Sequence, residues 1–164
     1  MTALALCLLC CDAATPLTYD DPDPQRYTYS LRASDLDTRV RSYPRIGFYI
    51  EKDGKPADQQ VACVDTSVPT RGKLVIWLMA PNSALFERLN SYGLHVIQPH
   101  YARHWFGTLC RENPVGETCR GDVRLEAATG EDHSPQLGLR RADGMAERAR
   151  RMVQHLAKEH PGQG

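Results

Sequence analysis

The sequence predicts an α/β fold, and three stretches of the chain carry that prediction. Residues 73–78 (KLVIWL) form, after Lys73, an unbroken apolar run, which is typical of a strand buried on both faces of a sheet. Residues 94–98 (LHVIQ) form a shorter run of the same kind. Between them, apolar residues recur at helical intervals up to Gly93, which can end a helix in the left-handed conformation. We therefore expect a parallel strand pair joined by a right-handed helical crossover, with helices on both faces of the sheet.

An early antiparallel hairpin is expected before this unit. Residues 27–31 alternate in polarity and predict a short strand. A second strand is predicted at 46–50, and the Asp53-Gly54 turn would pair it with residues 60–64.

The C-terminal part of the chain predicts a helix that covers the sheet. Apolar residues recur at helical spacing from residue 145 to residue 157, until His160-Pro161 ends the pattern. A shorter helix is expected at 122–127. Five arginines on and before the last helix are interpreted as a solvated face: Arg140, Arg141, Arg148, Arg150 and Arg151. A sheet with so few strands would leave apolar edges open, so we expect an incomplete domain or self-association through an exposed sheet edge.

Length and charge restrict the class of protein. A chain of 164 residues can bury one ordinary core. Its 20 basic and 20 acidic residues cancel, which argues against nucleic-acid binding. We interpret the chain as a signal segment at 1–14, a polar linker rich in Pro and Asp at 15–26, and a domain at 27–164.

The first residues resemble an export signal. An apolar run from Ala3 to Cys11 is followed by the small residues Ala13 and Ala14, and it is too short to span a membrane. The protein is therefore expected to be exported, to the periplasm or outside the cell. A lipoprotein anchor on Cys11 is the weaker alternative, because Cys10 precedes it where a small residue is usual.

The remaining cysteines fit an exported protein. Cys110 and Cys119 lie nine positions apart in a loop rich in Gly and Pro, which predicts a local disulfide that stabilises the fold by about 2–3 kcal/mol. Cys63 is then expected to be a buried thiol.

Several stretches together carry a family resemblance: GKLVIWLMAPN, LFERLNSYGLHVIQPHYA, the LC and TC pairs, DVRLEAATGEDHSPQ and MAERARRMVQHLAKEHP. Over roughly residues 47–164 the chain resembles the N-terminal half of a group of bacterial, mostly exported α/β-hydrolase-like proteins. The resemblance implies hydrolysis of an ester or similar acyl bond by a serine, an acid and a histidine, without a cofactor.

The catalytic residues that this resemblance implies are absent from the sequence. No serine lies in a G-x-S-x-G pattern, and the family order of nucleophile, acid and histidine places all three beyond residue 164. What remains is the loop after the first apolar run, where the backbone N–H groups of Met79 and Ala80 would donate to an oxyanion, whereas Pro81 has no N–H. We therefore expect a partial hydrolase, incompetent alone, that takes an ester or acyl substrate only if a C-terminal half completes it.

Four side chains are expected at the rim of a ligand pocket. They follow the second apolar run, at the edge where open α/β sheets bind ligands: His100, His104, Trp105 and Phe106. The alternative function is a small exported binding or scaffold domain that uses the aromatic loop 99–106 to hold a partner or carbohydrate.

Two catalytic alternatives have less support in the sequence. His100 and His104, with His95 or Asp122, could hold a divalent metal in a hydrolase, but no acidic ligand is close and we predict no metal site. Ser134 adjoins His133 and Asp132, but sequence neighbours on a loop seldom reach one another in triad geometry.

Overall fold

The structure is a computed structural model that describes residues 17–102, 104, 106–111 and 116–163. Its strands are β1 (Arg26–Arg32), β2 (Glu51–Lys52), β3 (Lys55–Pro56), β4 (Gln59–Asp65), β5 (Leu74–Ile76) and β6 (His95–Gln98). Its α-helices are α1 (Ala33–Leu36), α2 (Ser83–Asn90), α3 (Cys119–Thr129) and α4 (Met145–Glu159). Short 3-10 turns lie at Pro44–Ile46, Arg141–Asp143 and Pro161–Gln163, and a π-helical turn at Phe106–Arg111.

Four strands form a mixed sheet in the order β1-β4-β6-β5. β4 is antiparallel to both β1 and β6, whereas β5 and β6 are parallel. In the parallel pair, Leu74 lies opposite His95 and Ile76 opposite Ile97. Because α2 connects β5 to β6, the predicted strand, helix and strand unit is confirmed.

Helices cover both faces of this sheet, as predicted. α2 packs on one face through Phe86. On the other face, Ala149 and Met152 of α4 contact Ala62 of β4 and Ile97 of β6. The C-terminal covering helix is confirmed, and α3, expected only at 122–127, is longer than predicted at both ends.

The position of β5 in the sheet differs from the prediction. β5 is an edge strand with one neighbour, and Leu74 and Ile76 are each 41% exposed. The prediction that residues 73–78 form a strand buried on both faces is therefore wrong. The apolar run indicates that these residues can be buried. Full burial of β5 also needs a second strand on the side away from β6, and no described residue forms one.

The predicted early hairpin is also wrong in its pairing. Residues 44–46 form a 3-10 turn, and Gly47 follows in the left-handed region at φ 75°. Phe48 makes only an isolated bridge to Tyr43. The Asp53-Gly54 turn does form a hairpin, but it joins only the short strands β2 and β3. β4 pairs instead with β1 and β6. A proline before the apolar run and a glycine within it favour a turn over an extended strand.

The polar segment before β1 lies across one end of the sheet. Leu17 forms an antiparallel bridge with Thr70. Tyr19 stacks on the His95 ring, with ring centroids 5.6 Å apart. Further along, the Gln25 amide donates to the Thr66 hydroxyl at 3.0 Å. Residues 17–25 therefore form an N-terminal strap across the ends of β4 and β6.

The end of α3 and the start of α4 meet at two glycines. Gly130 ends α3 with a φ of 72°, and a Cβ there would lie 2.7 Å from the Arg141 Cα. A Cβ on Gly144 would lie 2.6 Å from the Gly130 nitrogen. Because only glycine permits this approach, the two helices are joined closely although the loop between them is long.

The disulfide between Cys110 and Cys119 is present, with a Cα–Cα distance of 5.8 Å. It joins the π-helical turn to the first residue of α3. Cys63, predicted to be a buried thiol, is free and buried. In the part of the chain that the structure describes, none of the helices has both the length and the apolar composition of a membrane span.

Candidate functional site

The loop that follows β5 is held by its carbonyl groups. The Trp77 indole Nε1 donates to the Ala80 carbonyl at 2.7 Å. The Gln98 side chain, at the end of the neighbouring strand, donates to the Met79 carbonyl at 3.3 Å. Both bonds orient the loop from the carboxyl ends of the two parallel strands, which is where α/β folds bind ligands.

The same loop turns sharply into α2. Asn82 is the N-cap residue, and its side chain accepts a hydrogen bond from the Leu85 amide at 3.0 Å. Among the described residues, neither the Met79 nor the Ala80 amide donates a hydrogen bond. Met79 is 53% exposed. The loop therefore presents two backbone donors that a bound oxyanion could use.

The predicted pocket rim is only partly described. The half-buried His100 packs its ring edge-on against Phe48, with centroids 5.4 Å apart. His104 is exposed, and its ring lies over Gly47, where a Cβ would meet the His104 Cδ2 at 2.4 Å. Trp105 and the side chain of Phe106 lie outside the described residues. Both histidines therefore contact the 44–48 turn, His100 through Phe48 and His104 through Gly47.

A buried arginine lies beneath this rim. Arg148 on α4 donates to the backbone carbonyls of Asp143 at 3.0 Å and His100 at 3.1 Å, and to the Gln60 side chain at 3.5 Å. Its guanidinium also lies 4.8 Å from the centre of the Phe48 ring. Burial lowers the pKa of Arg148 to about 10. Arg148 therefore fastens the loop after β6 to the covering helix.

This arrangement contradicts the interpretation of all five arginines as a solvated face. Arg148 is only 5% exposed. The helical spacing already indicated this burial, because residue 148 shares one face of the helix with the apolar residues 145, 149 and 152. A charged residue within an apolar stripe indicates a buried hydrogen-bonding role.

A second buried charge organises the loop between α3 and α4. The fully buried Glu126 carboxylate accepts hydrogen bonds from the amides of Leu139 at 2.7 Å, Ser134 at 2.8 Å and His133 at 3.4 Å. Glu126 was not predicted to be buried, although it shares one face of α3 with the buried residues Cys119, Val123 and Ala127.

Ser134 takes part in this loop and not in a catalytic triad. Its hydroxyl accepts from the Gln136 amide at 3.2 Å. The neighbouring His133 ring faces Glu131, with 3.5 Å between Nε2 and the carboxylate. The structure therefore does not bring Ser134, His133 and Asp132 together as a nucleophile, base and acid.

The histidines considered for a metal site are also separated. His95 lies at the start of β6, whereas His100 follows the other end of that strand. Within the described ranges, no three His, Cys, Asp or Glu side chains converge as a metal ion would require.

An apolar cavity of about 480 Å³ opens on the α4 face of the sheet, away from the predicted rim. It lies between the N-terminal strap, β5, β6 and the end of α4. Its walls include Leu17, Leu74, His95, Ile97, Val153 and Leu156. The Tyr19 hydroxyl and His95 Nε2 share a hydrogen bond of 2.6 Å beside it, and burial lowers the pKa of His95. The size of the cavity lies in the range of ligand sites.

A smaller cavity of about 260 Å³ lies on the α2 face. Cys63 and Asn90 line it, and burial raises the pKa of the Cys63 thiol. The Asn90 amide group donates to the carbonyls of Cys63 at 3.1 Å and Leu94 at 2.9 Å. The raised pKa keeps the Cys63 thiol protonated, which makes it a poor nucleophile.

Comparisons of the chain with protein-family models, with characterised proteins and with solved structures gave no match.

Proposed function

We propose that this chain forms the N-terminal part of an exported α/β-hydrolase-like domain of serine-esterase ancestry. In this proposal it supplies the oxyanion-binding side of the site and does not hydrolyse esters alone. The single observation that carries the proposal is the loop after β5, which leaves a parallel strand, turns into α2 and presents the Met79 and Ala80 amides.

The place of this loop in the topology supports the proposal. Setting aside the small β2–β3 hairpin, β5 is the third strand of the main sheet and α2 follows it. In α/β-hydrolases one oxyanion donor comes from the loop between the third strand and the first helix.

The chemistry of the loop fits stabilisation of a tetrahedral intermediate. Two backbone donors aimed at one point can bind the negative oxygen that forms when an acyl carbonyl is attacked, and each such donor contributes about 10²–10³-fold to the rate in a complete enzyme. The Gln98 side chain holds the Met79 carbonyl, which belongs to the same peptide group as the Ala80 N–H, so this donor is oriented before substrate binds. This preorganisation needs neither a metal nor a cofactor.

The nucleophile must come from elsewhere, because none of the chain's serines lies in a G-x-S-x-G pattern. A completed site would take a small ester or acyl substrate. The Cys110–Cys119 disulfide is compatible with the exported location that we propose.

Incompetence of the chain alone is tested with nitrophenyl esters of short acyl chains and a fluorophosphonate probe. We expect hydrolysis at the rate of buffer and no saturable labelling. Saturable labelling of any serine would overturn this part of the proposal.

The oxyanion role needs a test that does not depend on turnover. We expect a monoanionic alkylphosphonate ester to shift the Met79 and Ala80 amide resonances in a saturable titration, while the Gly54 amide in the β2–β3 turn stays unchanged. Ala80→Pro removes one donor and should abolish saturation. If the two amides do not respond in the original chain, the loop is not an oxyanion site.

A further inference from the structure

The first three residues of the N-terminal strap, 17–19, form a latch that is weakly held. The Thr70 amide donates to the Leu17 carbonyl at 3.0 Å. The Tyr19 hydroxyl shares a hydrogen bond of 2.6 Å with His95 Nε2, and the two rings stack. Because Leu17 is 63% exposed, its side chain contributes little apolar burial. Local stability is lowest where few apolar contacts are made, so the latch can open without unfolding of the sheet.

The strap is anchored firmly just after the latch. The Thr66 amide donates to the Gln25 carbonyl at 2.9 Å, and the Gln25 amide donates back to the Thr66 hydroxyl at 3.0 Å. That hydroxyl in turn donates to the Asp21 carboxylate. The C-terminal turn packs against Asp20, because Gly162 leaves no room for a Cβ beside the Asp20 carbonyl. A movement of the latch would therefore hinge at residue 20 or 21 and leave β1 in place.

The latch covers part of the apolar cavity of about 480 Å³. Leu17, Thr18 and His95 all lie in the cavity wall. If the latch opens, the part of the wall that Leu17 forms is lost, and the half-buried His95 ring comes into full contact with water. The open and closed states thus differ in access to the cavity and in the solvation of one titratable ring.

No described carboxylate stabilises a positive charge on His95, because the ring forms no ion pair within the described ranges. On the latch its partner is the Tyr19 hydroxyl, which stays neutral because burial raises the pKa of Tyr19. β4 ends at Asp65, which pairs with an arginine of β1 at 3.7 Å. Lys73 precedes β5 and His160 follows α4, and neither adds a negative charge. Strand alternation also turns the Lys73 side chain toward the α2 face.

A proton on His95 favours the open latch. Burial lowers the pKa of His95 in the closed state, whereas a ring in water has the ordinary value of 6.5. Because the closed state binds the proton more weakly, the ratio of open to closed molecules rises as the pH falls below 6.5. The rise is at most about tenfold for each unit of pH, and it ends where the closed state also takes up the proton.

We propose that residues 17–19 are a pH-sensitive latch on the apolar cavity, which protonation of His95 opens. At neutral pH the contact between Tyr19 and His95 holds the latch shut, and at acidic pH the cavity becomes accessible to apolar molecules. This inference rests on the strap and the cavity and not on the hydrolase proposal, so failure of the ester and phosphonate tests leaves it standing.

Amide hydrogen exchange in the full chain measures the opening. The Thr70 amide is protected by its bond to the latch, whereas the neighbouring Arg71 amide bonds to the Gly93 carbonyl at 2.8 Å and is the matched reference. We expect the protection factor of Thr70, corrected for the intrinsic effect of pH on exchange, to fall by about three- to tenfold between about pH 7.5 and about pH 5.5. The protection factor of Arg71 should change by less than about twofold.

Three variants identify the group that controls the latch. His95→Gln does not titrate, although its side-chain amide can still bond to Tyr19, and it should abolish the pH dependence at Thr70. Tyr19→Phe keeps the stacked ring but loses the hydrogen bond, so it should lower the protection of Thr70 by about two- to tenfold at about pH 7.5. His160→Gln changes the other histidine of the cavity wall and should retain the pH dependence. Circular dichroism verifies that each variant is folded.

Nile red, a neutral apolar dye, measures access to the cavity. We expect saturable binding that is at least about threefold tighter at about pH 5.5 than at about pH 7.5, following the fraction of open molecules. The affinity of His95→Gln for the dye should be the same at both pH values.

Several results would overturn the proposal. They are a protection factor of Thr70 that does not depend on pH, a pH dependence that His95→Gln retains, or one that His160→Gln abolishes. Equal loss of protection at Thr70 and Arg71 would assign the change to unfolding of the sheet. Equal binding of the dye at both pH values would mean that the latch does not control the cavity.

Discussion

Removal of the Glu126 carboxylate should open the loop between α3 and α4. The carboxylate is fully buried and accepts hydrogen bonds from three backbone amides of one loop, two of them at 2.8 Å or less. Glu126→Ala deletes every acceptor. Glu126→Gln keeps one oxygen but places an NH₂ donor against the amide that the other oxygen served.

The magnitude follows from the number and length of these bonds. A hydrogen bond to a charged group contributes about 1.5–3 kcal/mol, and the bond to the His133 amide at 3.4 Å is too long to count fully. Two short bonds at the lower end of that range give a loss of about 3–4 kcal/mol for Glu126→Ala. Glu126→Gln retains one of the two and should lose about 2 kcal/mol.

Urea unfolding followed by circular dichroism measures the loss in free energy of unfolding. Amide exchange locates it, since the Ser134 and Leu139 amides should exchange fast in the alanine variant. Glu131→Gln is the matched control, because its side chain is 67% exposed, and it should change stability by less than about 0.5 kcal/mol. If Glu126→Gln proved as stable as the original chain, the carboxylate would not be what organises the loop.

Three further predictions concern the disulfide, His95 and Arg148. Replacing Cys110 and Cys119 with serine should lower the free energy of unfolding by about 2–3 kcal/mol, and reductant should then affect only the original chain. His95→Phe should reduce the loss of stability between about pH 7 and about pH 5, measured by urea unfolding at each pH. Burial lowers the pKa of His95 in the folded chain, so its stability cost is absent above the ordinary value of 6.5 and grows as the pH falls through it. Arg148→Ala should cost about 3 kcal/mol or more, whereas Arg150→Ala, whose side chain is 47% exposed, should cost less than about 1 kcal/mol.

Each of these predictions has a contrary outcome. Equal sensitivity to reductant in the serine variant would mean that the disulfide does not stabilise the fold. If the free energy of unfolding of His95→Phe depended on pH as in the original chain, other groups would cause that dependence. Equal stability of the two arginine variants would mean that burial of Arg148 contributes nothing beyond a surface position.

Local signals made the parallel unit and the last helix predictable. Residues 73–98 contain two apolar runs and a helical pattern that ends at Gly93, whose φ of 71° fits the expected left-handed conformation. The disulfide followed from spacing, since its cysteines lie nine positions apart. These features depend on residues close together in sequence, so pattern and turn chemistry are enough to identify them.

Features that depend on distant contacts were not predictable in the same way. Whether β5 is central or at an edge depends on what pairs with its far side, and its own composition is the same in both cases. Arg148 bonds to Gln60 and His100, which lie far away in sequence, so its burial appears only after the sheet and α4 come together. The Glu126 carboxylate similarly accepts hydrogen bonds from backbone amides of a loop whose sequence contains no recognisable motif. At the site, the loop could be located from its strand, whereas the unpaired state of the Met79 and Ala80 amides required the tertiary structure.

The meeting of Gly130 and Gly144 has a consequence for engineering. Because the ends of the loop are in contact, the position of α4 on the sheet depends on the glycine pair and little on the number of residues between them. Extra length in such a loop costs only about 0.6 kcal/mol for each doubling. Residues 131–133 are exposed, and they precede the short hydrogen bond from the Ser134 amide to the Glu126 carboxylate. A foreign epitope or tag can therefore be inserted in this stretch while the sheet and its covering helix keep their arrangement.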